Sequence, residues 1–193
     1  MLNDPLKTGL SNIKKVETTK TPEELLEQSQ FQFLQNVVKN LNDNYKDGGY
    51  FSIDQVHDNS GIYTFYYIKN DESGQSTVKN SGYFSKIFAK INNMVEKFNL
   101  EHFNILEIVK DLDINTKDLQ GWEFMESMPK FLELFPELEV KSAKKQENSK
   151  ADFQVLFNGE FYKEYTKEEL SALLKKIDVL FFKEDDDKES IEA

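Results

Sequence analysis

The chain's only imidazoles, His57 and His102, each stand beside a carboxylate. His57 is followed by Asp58, with Asp54 three residues before it; His102 follows Glu101. An imidazole next to a carboxylate is a workable general base near neutral pH. The simpler reading is a solvated turn around 57–58, where Asp and Asn suit the backbone geometry, and an exposed helix start at 101–102. Nothing in the spacing brings the two histidines together. A second oxygen-rich segment, Asp111, Asp113 and Asn115, opens like a calcium loop. Such a loop needs a glycine at its sixth position and a bidentate glutamate at its twelfth. Thr116 and Trp122 stand there instead. The segment reads better as a helix end followed by a capped helix start.

Composition removes most other catalytic routes. The chain has no cysteine, so disulfides, thiolate nucleophiles and cysteine-ligated metals are excluded. All 24 basic residues are lysines, which rules out a bidentate arginine clamp on phosphate or carboxylate. The eight glycines form neither a G-x-x-x-x-G-K nor a G-x-G-x-x-G loop, and no G-x-S-x-G elbow occurs. No metal set and no cofactor is expected.

Lysines and acids are the remaining chemistry. Lys86, Lys90 and Lys97 fall within a narrow arc of one helix, and Lys141, Lys144, Lys145 and Lys150 lie in or beside a polar loop of net +3. Both sets could track a phosphate backbone, with Tyr63, Phe65, Tyr66 and Tyr67 stacking on bases if an exposed sheet face carries them. The simpler reading has the lysines solvated and the aromatics in the core. Charge favours it: the 193 residues carry −11. The tail 183–193 accounts for −4 of this, so −7 stays on the body, whereas phosphate binders are usually basic. Within that tail Glu184, Asp185, Asp186 and Asp187 form an acidic run suited to a basic partner, or to competition for a lysine groove on the same molecule. An aromatic and basic platform with a detachable acidic tail resembles, in plan only, the single-stranded-DNA-binding proteins of phages.

The elements that must position these groups follow from periodicity and caps. Residues 1–20 read as a flexible arm, 21–182 as one α+β domain and 183–193 as a disordered acidic tail. Thr21-Pro22-Glu23-Glu24 is a capping box that opens a helix over 22–43. Strands are expected at 50–56 and 62–68, with a short third one at 76–79. Helix 83–98 carries Phe84, Ile87, Phe88, Ile91, Val95 and Phe98 on one stripe. Helical pieces at 103–112 and 117–134 follow, the latter interrupted at Gly121 and Pro129. Strands at 138–145, 151–157 and 161–165 come next, the last two joined by Asn158-Gly159, a strong signal for a type I′ turn. A second capping box, Thr166 to Glu169, starts the last helix, with Leu170, Leu173, Leu174 and Ile177 on one face. The expected fold is therefore α+β: antiparallel hairpins at about 50–79 and 138–165 packed with three or more amphipathic helices.

The N-terminus has no apolar leader, and the longest strictly apolar run, Val179–Phe182, is far below the ~20 residues of a membrane span. A cytoplasmic protein with no membrane contact is expected. Lysine and asparagine richness without arginine suggests an AT-rich source such as a phage or plasmid. The leading functional expectation is a non-enzymatic acidic accessory protein that binds a protein partner. The alternative is a single-stranded nucleic-acid-binding protein with a regulatory acidic tail.

Overall fold

A computed structural model of the chain describes residues 20–45, 48–56, 60–143 and 150–182. The N-terminal arm up to 19, His57, Asp58, Lys144, Lys145 and the acidic tail with Glu184, Asp185, Asp186 and Asp187 lie outside the described residues.

Helix α1 (Pro22–Asn44) begins as its cap requires: Thr21 is extended and its hydroxyl accepts from the Glu24 N–H at 3.2 Å, with Pro22 in the first turn. It buries Phe33, Leu34, Val37, Val38 and Leu41. Strands β1 (Gly49–Gln55), β2 (Ile62–Asp71) and β3 (Gly74–Tyr83) form an antiparallel sheet in that order. Register puts Phe51 opposite Tyr67 and Ile53 opposite Phe65, so both pairs project from the face that meets α1. Phe31 stacks on Tyr63 at 6.1 Å, and Tyr45 packs against Phe51 and Tyr67. The free edge of β1 is partly closed by a side chain. Asn42 donates from Nδ2 to the Phe51 carbonyl at 2.9 Å and accepts the Phe51 N–H at 2.7 Å, doing the work of a neighbouring strand.

The third strand is ten residues long, not four. Its sequence, GQSTVKNSGY, has no apolar alternation, and nearly all of it is exposed. It is held extended by pairing along the whole of β2, from Ile62–Tyr83 to Asp71–Gly74. Tyr83 passes directly into α2 (Phe84–Lys97). That helix buries Phe84, Ile87, Phe88, Ile91 and Val95 of the expected stripe and Met94 besides, while Phe98, the last expected member, is its half-buried C-cap. It ends with Asn99 at φ +53, the Asn99 N–H on the Glu96 carbonyl and the Leu100 N–H on the Val95 carbonyl, a Schellman ending with asparagine in the glycine position.

Helix α3 (Ile105–Lys110) is shorter than the 103–112 expected, because Asn104 caps it through the Leu106 N–H. Phe103 and Leu112 flank it and are buried. Residues 117–123 are not helical. The Asn115 side chain takes the Lys117 N–H at 2.9 Å, and Gly121 sits at φ +68, a conformation that stops a helix. Helix α4 (Phe124–Leu134) runs through Pro129 without a break. Proline removes the bond to the Met125 carbonyl; Met125 is 77% exposed, so water can reach that region.

A second antiparallel sheet contains β4 (Leu138–Ser142), β5 (Phe153–Phe157) and β6 (Glu160–Tyr165) in sequence order. The first two strands are shorter than the 138–145 and 151–157 expected. Asn158 and Gly159 make the β5–β6 turn with φ +53 and +83, as the Asn-Gly pair requires. Helix α5 (Lys167–Phe181) carries the full capping box: the Thr166 hydroxyl accepts the Glu169 N–H, and the Glu169 carboxylate accepts the Thr166 N–H. Those bonds hold the Glu169 carboxyl below its ordinary range. The arrangement is α+β, and side chains from both sheets and all five described helices join one apolar cluster. Among the described residues no helix is long and apolar enough to cross a membrane.

Three substitutions test this packing and its turn. Ile91→Ala should destabilise by about 2–5 kcal/mol, while Asn93→Ala on the exposed side of the same helix should stay within about 0.5 kcal/mol in chemical denaturation. Gly159→Val should cost about 1 kcal/mol or more, because a β-branched residue resists positive φ; an unchanged denaturation midpoint would contradict the turn assignment.

Candidate functional site: the outer face of the first sheet

Because side chains alternate along a strand, the residues between the core positions of β1, β2 and β3 share the opposite face. Register places Tyr50, Ile68 and Thr77 in one row, Ser52, Tyr66 and Lys79 in the next, then Asp54, Thr64 and Ser81, then Ile62 and Tyr83. Val56 continues β1 with the same alternation, its N–H on the Ile62 carbonyl at 3.0 Å. Tyr50, Tyr83 and Val56 are 47%, 41% and 40% exposed. Ile62, Tyr66 and Ile68 are half-buried, and they are not among the side chains packed against the apolar core. Among the described residues no helix covers this face; α1 and α2 lie on the other side. The Lys79 ammonium stands 6.0 Å from the Tyr66 ring centroid, and Thr64 and Ser81 share a hydroxyl hydrogen bond of 2.9 Å. The surface is thus aromatic and aliphatic, with the hydroxyls of Ser52 and Ser81, one lysine and one aspartate, around a buried Thr64.

The aromatics singled out by sequence divide between the two faces. Tyr63, Phe65 and Tyr67 are core, not platform, since α1 and α2 cover their side of the sheet. The Tyr63 hydroxyl donates into α1, to the Glu27 carbonyl and the Gln30 side chain, and the Tyr67 hydroxyl meets that of Tyr45 at 2.6 Å. Only Tyr66 of that group faces outward. Tyr50 and Tyr83 were not singled out, and the alternation of β1 and β3 with β2 is the one signal that could have found them.

The lysines are not gathered on this face. Lys86 and Lys97 are exposed and Lys90 half-buried on α2, which packs on the core side of the sheet. The stem of Lys86 lies so close to Gly82 that a Cβ there would sit 2.6 Å from it. Lys141 belongs to β4 of the other sheet, 3.6 Å from the Glu139 carboxylate, and Lys150 precedes β5. Among the described residues, therefore, Lys86, Lys90, Lys97, Lys141 and Lys150 are not joined to the tyrosine face.

Other polar side chains have structural duties. Glu27, buried in α1, accepts from the Gln55 side chain at 2.6 Å and the Gly61 N–H at 2.9 Å, tying the ends of β1 and β2 to the helix. Asp178 on α5 accepts from the Trp122 indole at 2.6 Å and the Ser127 hydroxyl at 2.8 Å. Lys176 donates to the Val109, Lys110 and Leu112 carbonyls at the end of α3. Burial, with Glu107 and Glu169 nearby, pushes the Tyr165 hydroxyl up to about 12. A small pocket of about 100 Å³ lies between Pro22, Leu25, Leu26, Ile114 and Val179. His102, expected as an exposed helix start, is half-buried against Glu137 instead. Asp111, Asp113 and Asn115 are exposed, and no group of three metal-ligating side chains occurs among the described residues.

No family model, no curated protein and no solved structure matches the chain. Its function has to be argued from the surface itself.

If the outer face is a surface and not a hidden part of the core, Tyr50→Ser and Tyr83→Ser should each change folding stability by less than about 0.5 kcal/mol. Tyr67→Ser, on the inner face, should cost about 3 kcal/mol or more by urea denaturation.

Proposed function

We propose that the protein is a non-catalytic binding module that acts on a protein partner, with the outer face of the first sheet as its contact. The observation that carries this reading is the cluster Tyr50, Val56, Ile62, Tyr66, Ile68 and Tyr83 on one sheet face that no described helix covers. Single exposed apolar residues are ordinary, but a contiguous set on one face favours association. Tyrosine-rich surfaces with few charges suit protein contacts, where rigid rings supply area at little entropic cost. Charge separates a protein from a nucleic acid. The face carries Lys79 against Asp54, the lysines of α2 lie on the other side of the sheet, and the chain is acidic with no arginine.

One observation favours a second reading, in which the partner is single-stranded nucleic acid. Lys79 stands over the half-buried Tyr66 on the same face as the exposed Tyr50 and Tyr83, and such a face can stack bases.

Affinity capture from source-cell lysate, with and without nuclease, distinguishes the readings. The full chain should retain a protein after nuclease treatment, and the Tyr50→Ser/Tyr83→Ser variant should lose it at least about tenfold, as expected when two anchor rings are removed. Salt-sensitive binding of labelled oligo-dT that the same variant abolishes would establish the second reading and overturn the first.

A further inference from the structure

His102 and Glu137, 35 residues apart in the chain, face one another across the junction of the α2–α3 connector with the α4–β4 corner. Imidazole Nδ1 lies 3.6 Å from carboxylate Oε1; the His102 side chain is 28% exposed and that of Glu137 only 7%. Neither of these two atoms has a hydrogen-bond partner, although both are buried. That is an uncommon state for paired polar atoms, because an unmet buried group costs free energy that a shift of under an ångström would recover.

The surroundings are apolar. Phe103 follows His102 with its ring 5.6 Å away, and Phe88 of α2 packs on both Phe103 and Phe135. Among titratable groups His102 is the one that acts on Glu137, and the neighbouring acids Glu101 and Glu139 are exposed. On α2, one turn beyond Phe88, the side-chain carbonyl of the uncharged Asn92 is also buried without a partner. The β5–β6 turn supplies a backbone group: the Asn158 N–H donates to the Glu137 carbonyl at 2.8 Å.

We propose that His102 and Glu137 form a proton-operated latch that fastens the second sheet to the helical layer. One proton held between Nδ1 and Oε1 lets the pair close to a charge-assisted hydrogen bond. Loss of that proton to water as pH rises leaves a buried carboxylate facing a neutral ring, and the corner with its Asn158 contact loosens. The buried setting supports this sense. Desolvation raises the Glu137 carboxyl above its ordinary value, opposed first by a hydrogen bond from the residue's own backbone N–H and then by His102.

The test uses the full chain, His102→Gln, Glu137→Gln and the double variant, unfolded with urea at about pH 6 and about pH 9. The cycle should give a coupling of at least about fivefold in the folding constant at the lower pH and less than about twofold at the higher. Hydrogen exchange of the Asn158 amide, corrected for its intrinsic pH dependence, should lose protection over the same interval in the native chain and stay flat in Glu137→Gln. Coupling below about twofold at both pH values, or equal coupling at both, overturns the latch. A pH-independent Asn158 amide in the native chain overturns its link to the second sheet.

Discussion

Phe88 and Phe181 are the contacts on which the rest of the molecule depends. Their rings lie 4.8 Å apart, nearly perpendicular, the geometry in which one ring's edge meets another's face. Around them Phe33 of α1, Phe84 of α2 and Phe135 at the end of α4 each touch Phe181, and Phe33, Phe84, Phe103 and Phe135 each touch Phe88. The two hairpin systems do not pair with each other. What unites them is this aromatic knot, with α1 and α2 covering the first sheet and α5 following directly from the second. Sixteen phenylalanines in a chain without cysteine or arginine are the compositional form of that solution.

The knot also decides which sheet face is left over. Both α1 and α2 spend their apolar stripes on it and on the inner face of the first sheet, so no described helix remains for Tyr50, Tyr66 and Tyr83. The edges of that sheet are treated unequally as well. Asn42 satisfies Phe51 on the β1 side, whereas β3 is long, polar and guarded chiefly by Lys79, a residue type that discourages unwanted pairing. Stability and surface chemistry thus come from one allocation of apolar side chains.

The helices were legible because their signals are local. Thr21, Thr166 and the 3.6-residue stripe of α2 lie within a few residues of what they control, and Asn158-Gly159 carries its own φ preference. β3 was underestimated because nothing in GQSTVKNSGY is intrinsically extended; its state is set by β2. Residues 117–123 were overestimated because helical composition there competes with a turn that Asn115 and Gly121 impose. The candidate site was half legible. From Ile62 to Ile68 both alternating sets of β2 are largely apolar, so the strand alone cannot say which set is core. That depends on where α1 and α2 settle.

Contacts between distant residues were invisible for a stronger reason. Asn42 with Phe51, Glu27 with Gly61, Trp122 with Asp178 and His102 with Glu137 join groups whose sequence contexts are ordinary. Three of these four are closed hydrogen bonds, and each fixes one element against another. His102 and Glu137 are the exception, opposed but not joined, at a corner otherwise built of rings. An apolar pair there would be cheaper to bury, since two opposed polar groups repay their desolvation only when bonded. A titratable pair at such a position makes the docking of the second sheet depend on a proton, while the tyrosine face, held by its own hairpins and two helices, is left independent of it.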